Sequence, residues 1–270
     1  MKNQQTAIRR TAEQGWLSFI PWSLHAWLVP VAIAALWQMA GGLGWISQAL
    51  LPTPLMIAKQ FVHLGVSGEL WGHFEVSILR AFSGFILGSL TGLALGMSTG
   101  LGSMAERTLD PSIQMLRTVP LLSLIPLFIL WFGIGEFSKI LMISLGAFFP
   151  VYVNTFLGIR SVDAKLYEVS RIFQYSKLQL LTRLILPSAL PNILLGIRLS
   201  LGVSWLVLVV AEMMGTSAGI GYMIQDARAY SQTDIVFVGI IIFAMIGKLS
   251  DSSVRLLETR LLSWRETYKG

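Results

Sequence analysis

Charged residues interrupt the chain only at intervals and leave long apolar runs between them. No Lys, Arg, Asp or Glu occurs from Gln14 to Ala58, and Ala26 to Ile46 is the apolar part of that run. Further charge-free runs cover Ala81 to Ala105, Thr118 to Gly135 and Ile140 to Ile159. A fifth run, Pro191 to Ala211, contains Arg198, and a sixth, Ile235 to Gly247, extends toward Val254 if Lys248 snorkels. A helix needs about 20 mostly apolar residues to cross about 30 Å of hydrocarbon. The pattern therefore predicts an all-α membrane protein with six transmembrane helices. Its segments are an N-terminal portion 1–25, a first span 26–46, an outer connection 47–75, a core 76–258 and a tail 259–270.

Composition agrees with this pattern. Of 270 residues, 54% are apolar and 13% are charged, half the charge of an ordinary soluble domain. That excludes a typical soluble protein, a basic nucleic-acid-binding domain and a disordered chain. The net charge of +6 is explained by where the cations fall. Alternating the spans puts fifteen Lys and Arg on one side and three (Lys59, Lys139 and Arg228) on the other. Basic residues concentrate in cytoplasmic loops, so both termini are expected in the cytoplasm. The first apolar run has basic residues before it but no small-residue cleavage site after it, and reads as an uncleaved anchor. Trp16, Trp22 and Trp27 suit the interfacial belt.

Cysteine is absent, which removes disulfides and Cys-based metal or redox sites. His25, His63 and His73 are too dispersed to read as a metal cluster. Gly84, Gly88, Gly92, Gly96 and Gly100 recur every fourth residue and form one helical stripe. The stripe packs against another helix of the same chain or lines a dimer interface or pathway. Pro120, Pro126, Pro150, Pro187 and Pro191 break backbone hydrogen bonding, which favours a core with a wet pathway over a simple anchor. Arg80, Arg198 and Glu212 are functional candidates because they are the ionisable residues nearest the membrane spans. Arg80 either attracts an anion in an outer vestibule or pairs with Glu212. Gln114 and Asn154 are further candidates for a path.

The segment 160–190 is basic and amphipathic. Leu166, Val169, Ile172 and Phe173, then Leu180, Leu181, Leu184 and Ile185, keep helical spacing. Ser176 is placed to cap the second helix and Pro187 closes it. This hairpin either lies on anionic lipid or docks a soluble partner. Glu168-Val169-Ser170, with Pro187 nineteen residues after Glu168, resembles the EAA loop of binding-protein-dependent ABC importer permeases. Val169-Ser170 replaces the family's Ala-Ala, and Gln174 stands where the family has glycine. The resemblance runs over about residues 26–262 and includes Leu109 to Arg117, Ile125 to Gly135, Phe149 to Thr155 and Val210 to Glu212. It is nearest to the aliphatic sulfonate branch, beside the taurine, nitrate and pyrimidine-precursor permeases.

The resemblance implies a type I importer permease fold with cytoplasmic coupling helices, in the bacterial inner membrane. It also implies a homodimer, two ATPase subunits that hold ATP and Mg, a periplasmic or surface substrate-binding protein, and no cofactor in this chain. ATPase coupling falls to Glu168, Val169, Ser170, Gln174, Leu186 and Pro187. The chain lacks a Walker motif: Gly247-Lys248 is followed by Leu249. An ion-coupled secondary carrier is the competing class, but it would usually show a buried acid or His at mid-span. A membrane enzyme would need a catalytic constellation.

Overall fold

The computed structural model describes residues 22–262, and these are helical and loop in conformation. Lys2, Arg9, Arg10, Trp16, Arg265 and Lys269, which enter the orientation argument, lie outside the described residues. The helices are α1 (Trp22–Gly42), α2 (Pro54–Ser67), α3 (Glu69–Leu101), α4 (Ser103–Arg117), α5 (Ile125–Phe132), α6 (Glu136–Arg160), α7 (Ala164–Ile172), α8 (Lys177–Leu180), α9 (Leu186–Met213), α10 (Ile220–Ala229) and α11 (Thr233–Leu261).

The helices outrun the charge-free segments. α3 has 33 residues and begins at Glu69, twelve residues before the second apolar run. The expected connection 47–75 therefore holds α2, capped by Thr53, and the first turns of α3. Charges mark where hydrocarbon ends, whereas backbone hydrogen bonding sets where a helix ends. α11 likewise continues past Val254 to Leu261.

The third run, 118–135, is not a straight helix. Pro120 precedes a 3₁₀ turn, Leu121–Leu124, and Pro126 sits in the first turn of α5. Neither proline can donate a backbone hydrogen bond. α4 and the 121–132 segment consequently meet at 86°. Among the described residues four helices are long and apolar enough to cross a membrane, or five if this bent pair counts as one crossing.

The bundle is organised around α6. α3 runs parallel to it, with Gly84 facing Ile143, Gly92 facing Val151 and Gly100 facing Ile159. The glycine stripe thus lies against a helix of its own chain. At Gly92 an added Cβ would stand 2.6 Å from the Phe148 carbonyl oxygen, and at Gly88 it would collide with the backbone of Ser144. α9 packs antiparallel on the opposite side of α6, where Gly158 meets Ala189 and Asn192, and Gly196 meets Pro150 and Asn154. In lipid, where helices gain little from hydrophobic association, such close approach supplies the attraction. A core of Ile143, Trp205, Leu208, Ile220, Val238 and their neighbours ties α10 and α11 to this triple layer.

Gly92→Leu should prevent assembly of the α3–α6 pair. Gly92→Ala should destabilise by about 1–3 kcal/mol, the usual range for overpacking. Thermal unfolding of the purified variants in detergent measures both. An unchanged Tm for Gly92→Leu would contradict the packing described.

Candidate functional site

Two constructions stand at opposite ends of α9. At its C-terminal end, Glu212 is 1% exposed and is enclosed by polar groups. The Ser77 hydroxyl lies 2.8 Å from each carboxylate oxygen. Arg80 donates through Nη1 at 2.8 Å, and the Gly221 N–H donates at 2.9 Å. Ser77 also accepts the Ile220 N–H at 2.8 Å, and His73 Nδ1 accepts the Gly219 N–H at 3.1 Å. Glu212 and Ser77 thereby satisfy the first N–H groups of α10, where a negative charge is favoured by the helix dipole. Gly219 has φ 116°, and a Cβ added there would run into the Glu212 carboxylate, so a side chain would meet both strain and a clash.

Arg80, 4% exposed, extends the network. Its Nη1 also donates to the Ala218 carbonyl at 2.7 Å. Its Nε and Nη2 grip both oxygens of Glu136 at 2.5 Å each. Lys139 Nζ lies 3.3 Å from Glu136 Oε1, one helical turn on. One ion network therefore joins α3, α6, α9 and the 214–219 loop. Four hydrogen bonds to these partners occupy the Arg80 guanidinium.

The other end carries the hairpin. Asp163 caps α7 by accepting the Lys165 N–H at 2.9 Å. α7 closes in a Schellman turn: Tyr175 N–H bonds the Ser170 carbonyl and Gln174 N–H the Arg171 carbonyl. Gln174 occupies the left-handed position at φ 50°, the place glycine takes most easily. Ser176 and Gln179 form a capping box at the start of α8.

Tyr167, Leu180 and Leu181 anchor the hairpin on Ile159, Ile185, Ala189 and Ile193. The opposite face bares Ile172 at 78%, Phe173 at 68% and Leu178 at 70% exposure. Glu168 and Val169 are exposed, while Ser170 is buried and donates to the Tyr167 carbonyl at 2.7 Å. Leu186 and Pro187 are half-buried at the start of α9. Pro187 has no N–H, and the ladder passes it through a π turn, Leu181–Ile185, in which Leu186 N–H bonds Leu181 O. Helix continuity survives, so Lys177–Met213 is one 37-residue rod, about 55 Å long at 1.5 Å per residue.

The remaining path candidates, Gln114 and Asn154, make their hydrogen bonds outside the Glu212 network. Gln114 donates to Asp110 at 3.3 Å, and Tyr152 donates to the same carboxylate at 2.7 Å. Asn154 donates to the Pro150 carbonyl of its own helix at 2.8 Å. Arg198 on α9 meets Asp251 on α11 at 2.6 Å, and Arg160 pairs with Glu106.

Residues 79–263 match the family model described as "Binding-protein-dependent transport system inner membrane component". The chain belongs to that family. It is 61% identical over its whole length, and 96% of the relative's, to SsuC of Bacillus subtilis (strain 168), named as an aliphatic sulfonates transport permease protein. The SsuC protein of Escherichia coli (strain K12) is 50% identical over 90% of this chain and 92% of its own length. The taurine transport system permease TauC of the same organism is 35% identical over 86% of each chain. Among solved structures, a chain of the MetNI methionine ABC transporter in an inward-facing conformation superposes with TM-score 0.54 at 19% identity, covering 67% of this chain and 92% of that one. The family's fold is thus the type I importer permease fold, and the chain is its multi-pass inner-membrane component.

Sequence reasoning did not single out Ser77, Glu136, Lys139, His73 or Asp251. Ser77 could have been found from its position one turn before Arg80, on the same helical face. Glu136 could have been found as an acid directly after Gly133-Ile134-Gly135, where a helix restarts.

Glu212→Ala should leave Arg80 buried with one partner fewer and destabilise the protein by about 3–5 kcal/mol, while Glu212→Gln should cost less. Unfolding of purified variants followed by circular dichroism checks the order. Gln174→Gly should keep the hairpin and gain stability on the order of 1 kcal/mol from relief of the left-handed position, whereas Gln174→Val should lose it. Hydrogen exchange at the Tyr175 amide reads the difference.

Proposed function

We propose that this chain is the permease subunit of an ATP-driven ABC importer for aliphatic sulfonates. Two copies pair around a central path, and each presents its α7–α8 hairpin to a separate ATPase subunit that holds ATP and Mg. The hairpin end faces the cytoplasm and the Glu212 end faces outward, where a soluble binding protein delivers substrate. The basic residues gathered around the hairpin end support that orientation. The full-length 61% identity to SsuC, against 35% to TauC, supports aliphatic sulfonates over taurine as the substrate class.

The observation that carries the coupling mechanism is the exposed apolar face of a hairpin fused to the α9 rod. Ile172, Phe173 and Leu178 form a bare apolar face at the tip of a capped hairpin, which suits burial in a partner's groove. A groove in the ATPase takes this face. Glu168, exposed beside it, contributes charge-assisted bonds that fix the hairpin's angle. When the ATPases close on nucleotide they draw the two hairpins together, and each rod carries that movement to the outward end. Transport is driven because the inward and outward states differ in their affinity for nucleotide and for the loaded binding protein. Val169, Ser170, Gln174, Leu186 and Pro187 shape the hairpin and its junction with the rod.

Glu168→Ala, at wild-type expression, should abolish sulfonate uptake and weaken co-purification of the ATPase. Uptake of labelled ethanesulfonate by cells carrying the complete transporter, with taurine and nitrate as competitors, tests substrate class and coupling together. Competition by nitrate but not by other alkylsulfonates would overturn the substrate reading. Wild-type uptake with intact ATPase docking in Glu168→Ala would overturn the coupling role.

A further inference from the structure

The ion network at the outward end is balanced unequally. Its two cations, Arg80 and Lys139, are buried. One of its anions, Glu212, is buried as well. The other, Glu136, has a side chain 59% exposed. Without Glu136, two buried cations would face a single buried anion. A group at the rim thus completes the charge, and another anion reaching the rim could do the same.

We propose that the Nε–Nη2 edge of Arg80, together with Lys139, is an anion site in which Glu136 is the resident occupant and a small organic sulfonate its exchange partner. The inference rests on the sulfonate reading above and gives it a location in this chain. Both oxygens of Glu136 lie along that guanidinium edge at 2.5 Å, the parallel two-bond geometry that suits carboxylates and other oxyanions. A sulfonate has the same charge and three oxygens, so two replace those of Glu136 and the third faces Lys139. Arg80 stays in place during the exchange, because its Nη1 remains bonded to Glu212 and to the Ala218 carbonyl. Glu136 is the member free to swing away, since its side chain is 59% exposed, and the arriving sulfonate replaces the two bonds it gives up.

The surroundings suit an amphiphilic anion. Phe137, next to Glu136, packs on Phe132 at 5.5 Å between ring centroids, and Phe132 packs on Trp131 at 6.3 Å. All three, with Ile134, are exposed and offer an apolar lip for an alkyl tail. The cavity behind, beside Ser138, Lys139, Met142 and Ala211, has about 10 Å³ of water-accessible space, room for about one water. The headgroup is therefore held at the rim in this conformation and goes no deeper.

The test uses the complete transporter in lipid nanodiscs without its binding protein, titrated calorimetrically with butanesulfonate and with 1-butanol as the uncharged control. Glu136→Gln removes the competing anion and should tighten butanesulfonate binding by about five-fold or more, while Lys139→Gln should weaken it by a similar factor. Butanol should show neither change. In thermal unfolding, butanesulfonate should raise the Tm of Glu136→Gln more than that of the wild type. An affinity in Glu136→Gln equal to or weaker than the wild type's, or the same change with butanol, overturns the proposal. If Glu136→Gln does not fold, Glu136→Asp, whose shorter arm grips Arg80 less well, should also tighten binding, and an unchanged affinity there overturns it equally. Wild-type ethanesulfonate uptake alongside such a result would sink this site alone. Absence of sulfonate uptake by the wild type would sink the reading on which it rests.

Discussion

The enclosure of Glu212 is the interaction on which the end of the protein built from α10, the 214–219 loop and the C-terminus of α9 depends. A carboxylate that is 1% exposed persists only because Ser77, Arg80 and the N-terminus of α10 each contribute a donor. The same bonds order the chain around it. Arg80 reaches from α3 to α6 through Glu136 and to the 214–219 loop through Ala218. Ser77 fixes the first amide of α10. Removing Ser77, Arg80 or Glu212 leaves buried partners short of a bond, so this buried part of the network is satisfied as a whole.

That rigidity gives the rest of the molecule its mechanical sense. α9 begins beneath a hairpin whose apolar face is bare and ends in the tightest polar cluster described. Between the two it lies along α6, which in turn holds α3 through glycines too close for any side chain. Under the proposed coupling, a push at the hairpin is delivered to a layer of closely packed helices. The π turn at 181–185 lets Pro187 into the rod while keeping the ladder closed.

The sequence made the membrane class, the helical hairpin with its Ser176 cap and the family readable, because each depends on local patterns: runs without charge, spacing near 3.6, and one short motif. The glycine stripe was readable as a packing face, but its partner was not, since nothing local points from Gly92 to Phe148. Arg80 and Glu212 stood out as charges at the ends of apolar runs, with pairing and anion attraction left open. Their contact spans 132 positions, beyond the reach of any periodicity argument. Glu136 stayed hidden because it lies in a loop-like stretch between two apolar runs, and the 86° bend after α4 because two prolines in an apolar run can equally kink a straight helix.

In the proposed mechanism the hairpin and the ion network around Glu212 move as the two ends of one stiff element. Spin labels on Leu178 and Met214 of one copy, paired with an unlabelled copy in the assembled transporter, report the length of that element by pulsed electron resonance. One narrow Leu178–Met214 distance is expected, unchanged between the nucleotide-free and ATP-trapped states, while the distance between the Leu178 positions of two labelled copies shortens. A Leu178–Met214 distribution that broadens or shifts on ATP binding would contradict it.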